Sequence, residues 1–142
     1  MPRILVIDDN PGDQTLIETL LRQSSSELEI EICEDGEQAL ARLNAGTLER
    51  DIDLVLIDWN VPRRNGREVL DELARHPRFR RTPVVALSSS EAPNDVADAY
   101  DLGASGYLVK PIGFQEFADR IRALVDYWFS AVRLPPPPSS TR

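Results

Sequence analysis

A chain of 142 residues, 42% hydrophobic and 28% charged, is long enough to close one sizeable core and too short for two. Its net charge of -8 argues against a general affinity for nucleic acid, so the basic spots at Arg63, Arg64, Arg67 and at Arg78, Arg80, Arg81 read as solvated loops and helix ends. The single cysteine, Cys33, excludes an internal disulfide and any multi-cysteine metal site; with no signal peptide and no apolar segment of spanning length, the expected location is the cytoplasm, with no membrane partner.

The first apolar run, residues 4–7, reads as a strand buried on both faces of a parallel sheet, and it ends in Asp8-Asp9. Asn10 and Pro11 suit the N-cap and first-turn positions of a helix that carries Leu16, Ile17, Leu20 and Leu21 on one face and breaks at Ser24, Ser25 and Ser26. Strict alternation through Glu29, Ile30, Glu31 and Ile32 predicts a less buried edge strand, with Cys33 a small buried hydrophobe at its end. Ala39, Leu40 and Leu43 mark a second helix ending near Gly46. The run 54–57 is again strand-like and ends in Asp58. Val69, Leu70 and Leu73 mark a third helix, starting near Gly66 and stopping before Pro77, which disfavours helical geometry in the residue ahead of it. The run 83–87 ends in Ser88. A fourth helix follows Pro93, with Val96, Ala99 and Tyr100 inward and Gly103 as its C-terminal stop. The last run, 107–109, ends in Lys110-Pro111. The fifth and longest helix keeps Phe114, Phe117, Ile121, Leu124, Val125 and Trp128 on one stripe, and residues 135–142 read as an extended, disordered Pro-rich tail.

Strands and helices in regular alternation predict an α/β fold, a doubly wound five-stranded parallel sheet. The order 2-1-3-4-5 follows from placing the strand that carries Asp8-Asp9 beside the one that carries Asp58, and it is a common order for doubly wound sheets. In such sheets the ligand site lies outside the carboxyl ends of the strands. The ends of the four buried runs bring three carboxylates, a hydroxyl and an ammonium to that edge, a set that binds a divalent metal and handles a phosphoryl group.

These residues resemble the receiver domain of two-component response regulators, from about Pro2 to about Val125. Asp8-Asp9 is similar to the family's acidic pair and Asp58 to its phospho-accepting aspartate. Asn60 resembles the residue whose backbone carbonyl ligates the metal, and Pro62 and Gly66 fit the turn after that strand. Ser88 resembles the hydroxyl switch residue, Tyr107 the aromatic switch residue, and Lys110-Pro111 the family's lysine with its cis-proline bond. The tail, Trp128-Phe129 followed by Val132 and Leu134-Pro135, is similar to that of small single-domain regulators paired with bacterial phytochrome histidine kinases. On this resemblance residues 1–126 form a flavodoxin-like receiver domain, 127–134 a C-terminal helix extension that serves dimerisation, and 135–142 the tail.

The resemblance implies Mg2+ as cofactor, with Asp9 and Asp58 as direct ligands, the Asn60 carbonyl beside them and Asp8 acting through water. It implies that Asp58 takes a phosphoryl group from a histidine kinase, helped by Lys110 and Ser88. Ser88 and Tyr107 would then pass the change to the fourth helix, fifth strand and fifth helix. The expected protein is no enzyme beyond its own phosphorylation and dephosphorylation. It would have no DNA-binding domain of its own, a kinase partner such as a bacteriophytochrome, an unknown downstream protein partner and a homodimeric state built on the apolar stripe that runs on to Leu134. Other readings stand beside this one. A phosphate sink would drain a kinase without a target. An aspartyl phosphatase would need an acid where Asn60 stands. A degenerate receiver is opposed by the intact acidic set with Lys110. Helix-start capping could explain Asp8 or Asp9 alone, and a polar loop Ser89 and Ser90. His76, beside Pro77, reads as a solvated surface residue.

Overall fold

The computed structural model describes residues 2–45, 52–59 and 66–136; Gly46, Asn60, Pro62, Arg63, Arg64 and the tail beyond Pro136 lie outside the described residues, as does the side chain of Leu43. Strands β1 (Arg3–Ile7), β2 (Glu29–Cys33), β3 (Leu54–Asp58), β4 (Val84–Ser88) and β5 (Gly106–Val109) alternate with helices α1 (Pro11–Ser24), α2 (Gly36–Ala45), α3 (Gly66–Arg75), α4 (Pro93–Asp101) and α5 (Phe114–Asp126). The sheet is parallel in the order β2-β1-β3-β4-β5, as the sequence predicts.

Side chains alternate between the two faces of a strand, and here both faces are covered. Leu5, Ile7, Val55, Ile57, Val84 and Ala86 pack with Leu40 of α2, with Val69, Leu70 and Leu73 of α3, with Phe79 from the connection between α3 and β4, and with Ala99 of α4. The intervening Ile4, Val6, Leu54, Leu56, Val85 and Leu87 pack with Ile17, Leu20 and Leu21 of α1 and Phe117, Ile121 and Leu124 of α5. That double burial explains why these strands are unbroken apolar runs. β2 lies at an edge, and only Cys33 of it is buried, in accord with its alternating sequence.

Register carries the run ends to one level. Ile7 is opposite Ile57, so Asp8 and Asp58 leave adjacent strands side by side. Asp58 is opposite Leu87, one residue before Ser88, and Ser88 is opposite Val109, one residue before Lys110. Helix ends follow the residues that cap them. The Asn10 side chain accepts a hydrogen bond from the Asp13 N–H at 3.0 Å, and Pro11 occupies the first turn of α1. At the end of α4, Gly103 has φ +103, its N–H donates to the Tyr100 carbonyl and the Ala104 N–H to the Ala99 carbonyl, a Schellman arrangement.

Several side chains differ from expectation. Tyr100, expected inward, is 51% exposed: α4 lies over the edge strand β5, and no further element among the described residues covers its outer flank. Phe114, expected on the buried stripe, is 60% exposed because it opens α5; the first buried position of that helix is Phe117. The α-helical part of the fifth element ends at Asp126, so among the described residues α1, with 14 residues against 13, is the longest α-helix. The path continues as a π-helical turn, Tyr127–Ala131, closed by the Val132 N–H on the Tyr127 carbonyl at 3.0 Å. Trp128 and Phe129 pack, half-buried, on the core layer of α1 and α5, which leaves Tyr127 as the exposed aromatic of the extension, at 53%. The Lys110–Pro111 bond, expected cis, is trans, the isomer favoured for most prolines.

Gly66 starts α3 directly against Trp59: a Cβ there would lie 2.5 Å from Trp59 Cε3 and 3.0 Å from the Trp59 carbonyl oxygen. The residue after Asp58 and the start of the next helix are therefore locked together. Gly66→Ala is expected to destabilise the protein by about 2 kcal/mol through overpacking, with a shift in Trp59 emission. Gly113→Ala, which meets nothing within 4 Å, should cost a small fraction of that; urea midpoints of the two variants check it.

Candidate functional site

β1, β3 and β5 each hand over one charged residue at the carboxyl edge, and the three meet. Lys110 Nζ lies 3.0 Å from Asp8 Oδ2 and 3.2 Å from Asp58 Oδ2. A fourth charged residue joins them from the first turn of α1: Asp13 Oδ2 accepts from the same ammonium at 3.0 Å. Lys110 is the chain's only lysine. A compact ammonium with three donors suits three converging carboxylates better than the planar fork of arginine would.

The Asp8 side chain is 1% exposed. Its Oδ1 accepts from the Asn10 N–H at 2.9 Å, and its backbone carbonyl accepts from the Gln14 side chain, so the first turn of α1 is stitched onto β1. Burial pushes the Asp8 carboxyl above its ordinary pKa of 3.8; the Asn10 N–H and Lys110 pull the other way without cancelling it. For Lys110 burial disfavours the charge, yet Asp58, Asp13 and Asp8 outweigh it and hold the ammonium protonated well above the usual lysine range.

Asp8, Asp9 and Asp58 each offer a carboxylate oxygen, and these atoms lie within 4.8 Å of one another. Asp8 is buried, Asp58 half-buried and Asp9 exposed, so the cluster is open on one side. Three like charges at that spacing repel, and a divalent cation relieves the repulsion; an all-oxygen set is the donor chemistry of a hard cation. The residues present therefore fit a divalent metal. The carbonyl expected from Asn60 lies outside the described residues.

At the end of β4 the hydroxyl residue is buried, with Ser88 at 2% exposure. Its Oγ accepts from the Ser90 N–H at 3.1 Å. Ser90 in turn donates from its hydroxyl to Asp95 in the first turn of α4 at 2.6 Å and accepts from the Ala92 N–H at 3.2 Å. Tyr107 is half-buried against the α2–α4 layer and donates its hydroxyl to the Ser90 carbonyl at 2.9 Å. Ser88 and Tyr107 are thus joined through Ser90, a residue that reads in sequence as a loop serine. His76 and Cys33 stand apart from this chemistry. His76 follows the far end of α3, where Nδ1 accepts from the Arg78 N–H and the ring lies 4.8 Å from that of Phe79. Burial raises the Cys33 thiol to about 11, which leaves it a small core residue.

The two acids that sequence reasoning treats as a pair have different environments, and it overlooks Asp13 altogether. An acid in a first helical turn is ordinarily a helix stabiliser, so the one signal in the sequence was its four-residue offset from Asp9. For Asp8 the sign of the pH effect follows from its raised value. The folded state takes up a proton before the unfolded state does, so stability of the metal-free protein rises as pH falls through the folded value, and the gain is complete near the ordinary 3.8. Asp8→Asn removes the buried charge and is expected to stabilise the protein in EDTA at pH 7 by about 1 kcal/mol. Its advantage over wild type should shrink on acidification, as urea midpoints across pH would show.

The family model described as response regulator receiver domain matches residues 4–122. The response regulator Rcp1 of Synechocystis sp. is 33% identical over 135 residues, which cover 93% of this chain and 92% of Rcp1. The phosphorylated cyanobacterial phytochrome response regulator RcpA superposes with a TM-score of 0.88 at 32% identity, covering 95% of this chain and 99% of that one. The Mn(2+)-bound form of Rcp1 gives a TM-score of 0.86 at 32% identity over 96% of this chain and all (100%) of the other. With a parallel sheet in this order, an acidic cluster and lysine at its carboxyl edge, and these matches along nearly its whole length, the chain belongs to the response regulator receiver domains.

Proposed function

We propose that this receiver domain accepts a phosphoryl group from a histidine kinase on Asp58 and passes its state to a partner protein. The observation that carries the reading is the convergence of Asp58, Asp8 and Lys110 within hydrogen-bond distance at the edge where Asp9 opens to solvent. Asp8, Asp9 and Asp58 would hold Mg2+, which would neutralise charge on the transferring group; the Mn(2+)-bound form of Rcp1 supports a divalent ion in this set. An Asp58 carboxylate oxygen attacks the phosphorus of a phosphohistidine, a P–O bond forms, the P–N bond breaks, and the electron pair leaves with the imidazole nitrogen. Lys110 stabilises charge on the phosphoryl oxygens, and the Ser88 hydroxyl donates to one of them. Because Ser88 Oγ also holds the Ser90 N–H, its movement pulls on Ser90, and with it on Tyr107 and the first turn of α4. The protein catalyses its own phosphorylation and dephosphorylation and no other reaction. The likeness to RcpA, a phytochrome response regulator, supports a bacteriophytochrome as the kinase. The proposed place of action is the cytoplasm; among the described residues no helix is long and apolar enough to cross a membrane.

Asp58→Asn preserves shape but is a poor nucleophile and metal ligand. It is expected to abolish labelling by a phosphorylated histidine kinase, and EDTA should do the same to wild type, with the circular dichroism spectrum intact. Labelling of the variant at the normal rate would refute the assignment.

The same reading includes a homodimer through α5 and its extension. Trp128 and Phe129 serve their own core, so the contact would use the open flank beside β5. There a groove of about 410 Å3 is lined by Tyr100, Tyr107, Tyr127 and Trp128 among others. Tyr100 and Tyr127 on an open sheet edge are surface that a two-fold partner would cover. Tyr100→Glu with Tyr127→Glu is expected to give a monomer in light scattering at tens of micromolar while Asp58 still accepts phosphate. A wild-type monomer at that concentration, with and without a phosphoryl mimic, would remove the dimer.

A further inference from the structure

We infer that Asp13 is a positioning residue that tethers the Lys110 ammonium on the α1 side of the site and so sets where that charge stands during phosphoryl transfer. Of the three carboxylates on Lys110, Asp8 and Asp58 also belong to the metal-compatible cluster, and Asp58 is the proposed acceptor. Asp13 shares the ammonium at 3.0 Å and has neither of those duties. When a cation and a phosphoryl group claim the oxygens of Asp8 and Asp58, Asp13 is the partner that Lys110 keeps.

The tether is rigid at its base. The Asp13 N–H is held by the Asn10 side chain at 3.0 Å, the Asn10 N–H by Asp8 Oδ1 at 2.9 Å, and Gln14 reaches back to the Asp8 carbonyl. The first turn of α1 is therefore fixed on the same residue that binds Lys110. The ammonium belongs to a flexible four-carbon stem that enters from β5, so a third anchor on a rigid element restricts the arc through which it can swing. The Asp13 side chain is 36% exposed against 13% for Lys110, which places the anchor at the mouth of the site.

A tether and a mere negative charge predict opposite results. If Asp13 acted only as a charge, removing it would lessen repulsion of an anionic phosphodonor and speed the reaction. If it positions Lys110, removing it slows the reaction, and only while Lys110 is present. Phosphorylation of full-length protein by acetyl phosphate at saturating Mg2+ is expected to fall about ten-fold in Asp13→Ala, to recover in large part in Asp13→Glu, and to change less than two-fold when Asp13→Ala is added to Lys110→Ala. A second readout needs neither metal nor transfer. Because Lys110 is the only lysine, 15N-lysine labelling yields one side-chain ammonium signal in the metal-free protein. Its hydrogen exchange should be at least ten-fold faster in Asp13→Ala and return toward wild type in Asp13→Glu. The kinetic half rests on the phosphoryl-acceptor reading. A wild type that takes nothing from acetyl phosphate would overturn that reading, while the ammonium signal would still decide the tether. Unchanged exchange in Asp13→Ala, or a phosphorylation rate unchanged or raised, would overturn the role of Asp13. The backbone cap of α1 by Asn10 survives the substitution, so loss of fold is not expected to intrude.

Discussion

A carboxylate with 1% of its side chain exposed, set beside another carboxylate on the neighbouring strand, is the constraint around which the rest is arranged. Parallel strands about 4.8 Å apart leave Asp8 and Asp58 no way to separate. Repulsion of that kind is offset only by positive charge supplied from elsewhere in the fold, and Lys110 arrives for it from β5, two strands beyond β3. The repulsion that remains, with an all-oxygen donor set, suits the cluster to a divalent cation, while the raised pKa of Asp8 comes first from its burial. Local geometry serves the same end: α1 is capped, stitched to Asp8 and furnished with Asp13 within its first turn, so that the one helix start nearest the carboxylates also helps to hold the ammonium.

On the opposite side of Asp58 lies the path along which the proposed function would move the chain. Ser88, Ser90, Tyr107 and Asp95 form a single run of hydrogen bonds from the buried end of β4 to the start of α4. Among the described residues no salt bridge ties these groups to the site, and α4 ends in a glycine turn at the exposed flank. The charged centre of Asp8, Asp58 and Lys110 thus lies at the same edge as a run of hydrogen bonds through Ser88, Ser90 and Tyr107 that ends on the Asp95 carboxylate. A displacement at Ser88 costs hydrogen bonds of roughly 1 kcal/mol each, which is the scale on which a bound group can reweight two packings.

Sheet order, the strand runs and the residues at their ends were legible because double burial leaves no freedom: a parallel central strand must be apolar up to the point where it emerges, and the first polar residue marks the edge. Caps at Asn10 and Gly103 were legible for a similarly local reason. What escaped depends on which neighbours exist. Tyr100 and Phe114 have the spacing of buried residues, yet one faces a sheet edge that no described residue covers and the other precedes the first buried position of its helix. Trp128 continues the spacing of the core stripe of α5, and it and Phe129 pack half-buried on that core, in a segment that reads in sequence as exposed apolar surface. Asp13 was hidden for a different reason, since an acid in a first turn has a sufficient local explanation and its partner lies 97 residues away.

The bonds around Asp58 also indicate where the signalling bias would come from on the proposed function. Lys110 is bound to carboxylates before any phosphoryl group arrives, so contact with a phosphoryl oxygen exchanges one charged partner for another. An exchange of that kind contributes to holding the group and adds little to the difference between two conformations. Ser88 is in a different position. Its oxygen accepts from the Ser90 N–H, while among the described residues its hydroxyl proton has no acceptor. A phosphoryl oxygen would give that proton a charged partner it otherwise lacks, a bond worth roughly 1.5–3 kcal/mol. A ligand shifts an equilibrium only by its differential interaction with the two states. By that measure, on the proposed function, the charged lysine would hold the phosphoryl group, and the neutral serine, tied through Ser90 to Tyr107 and α4, would convert its presence into movement.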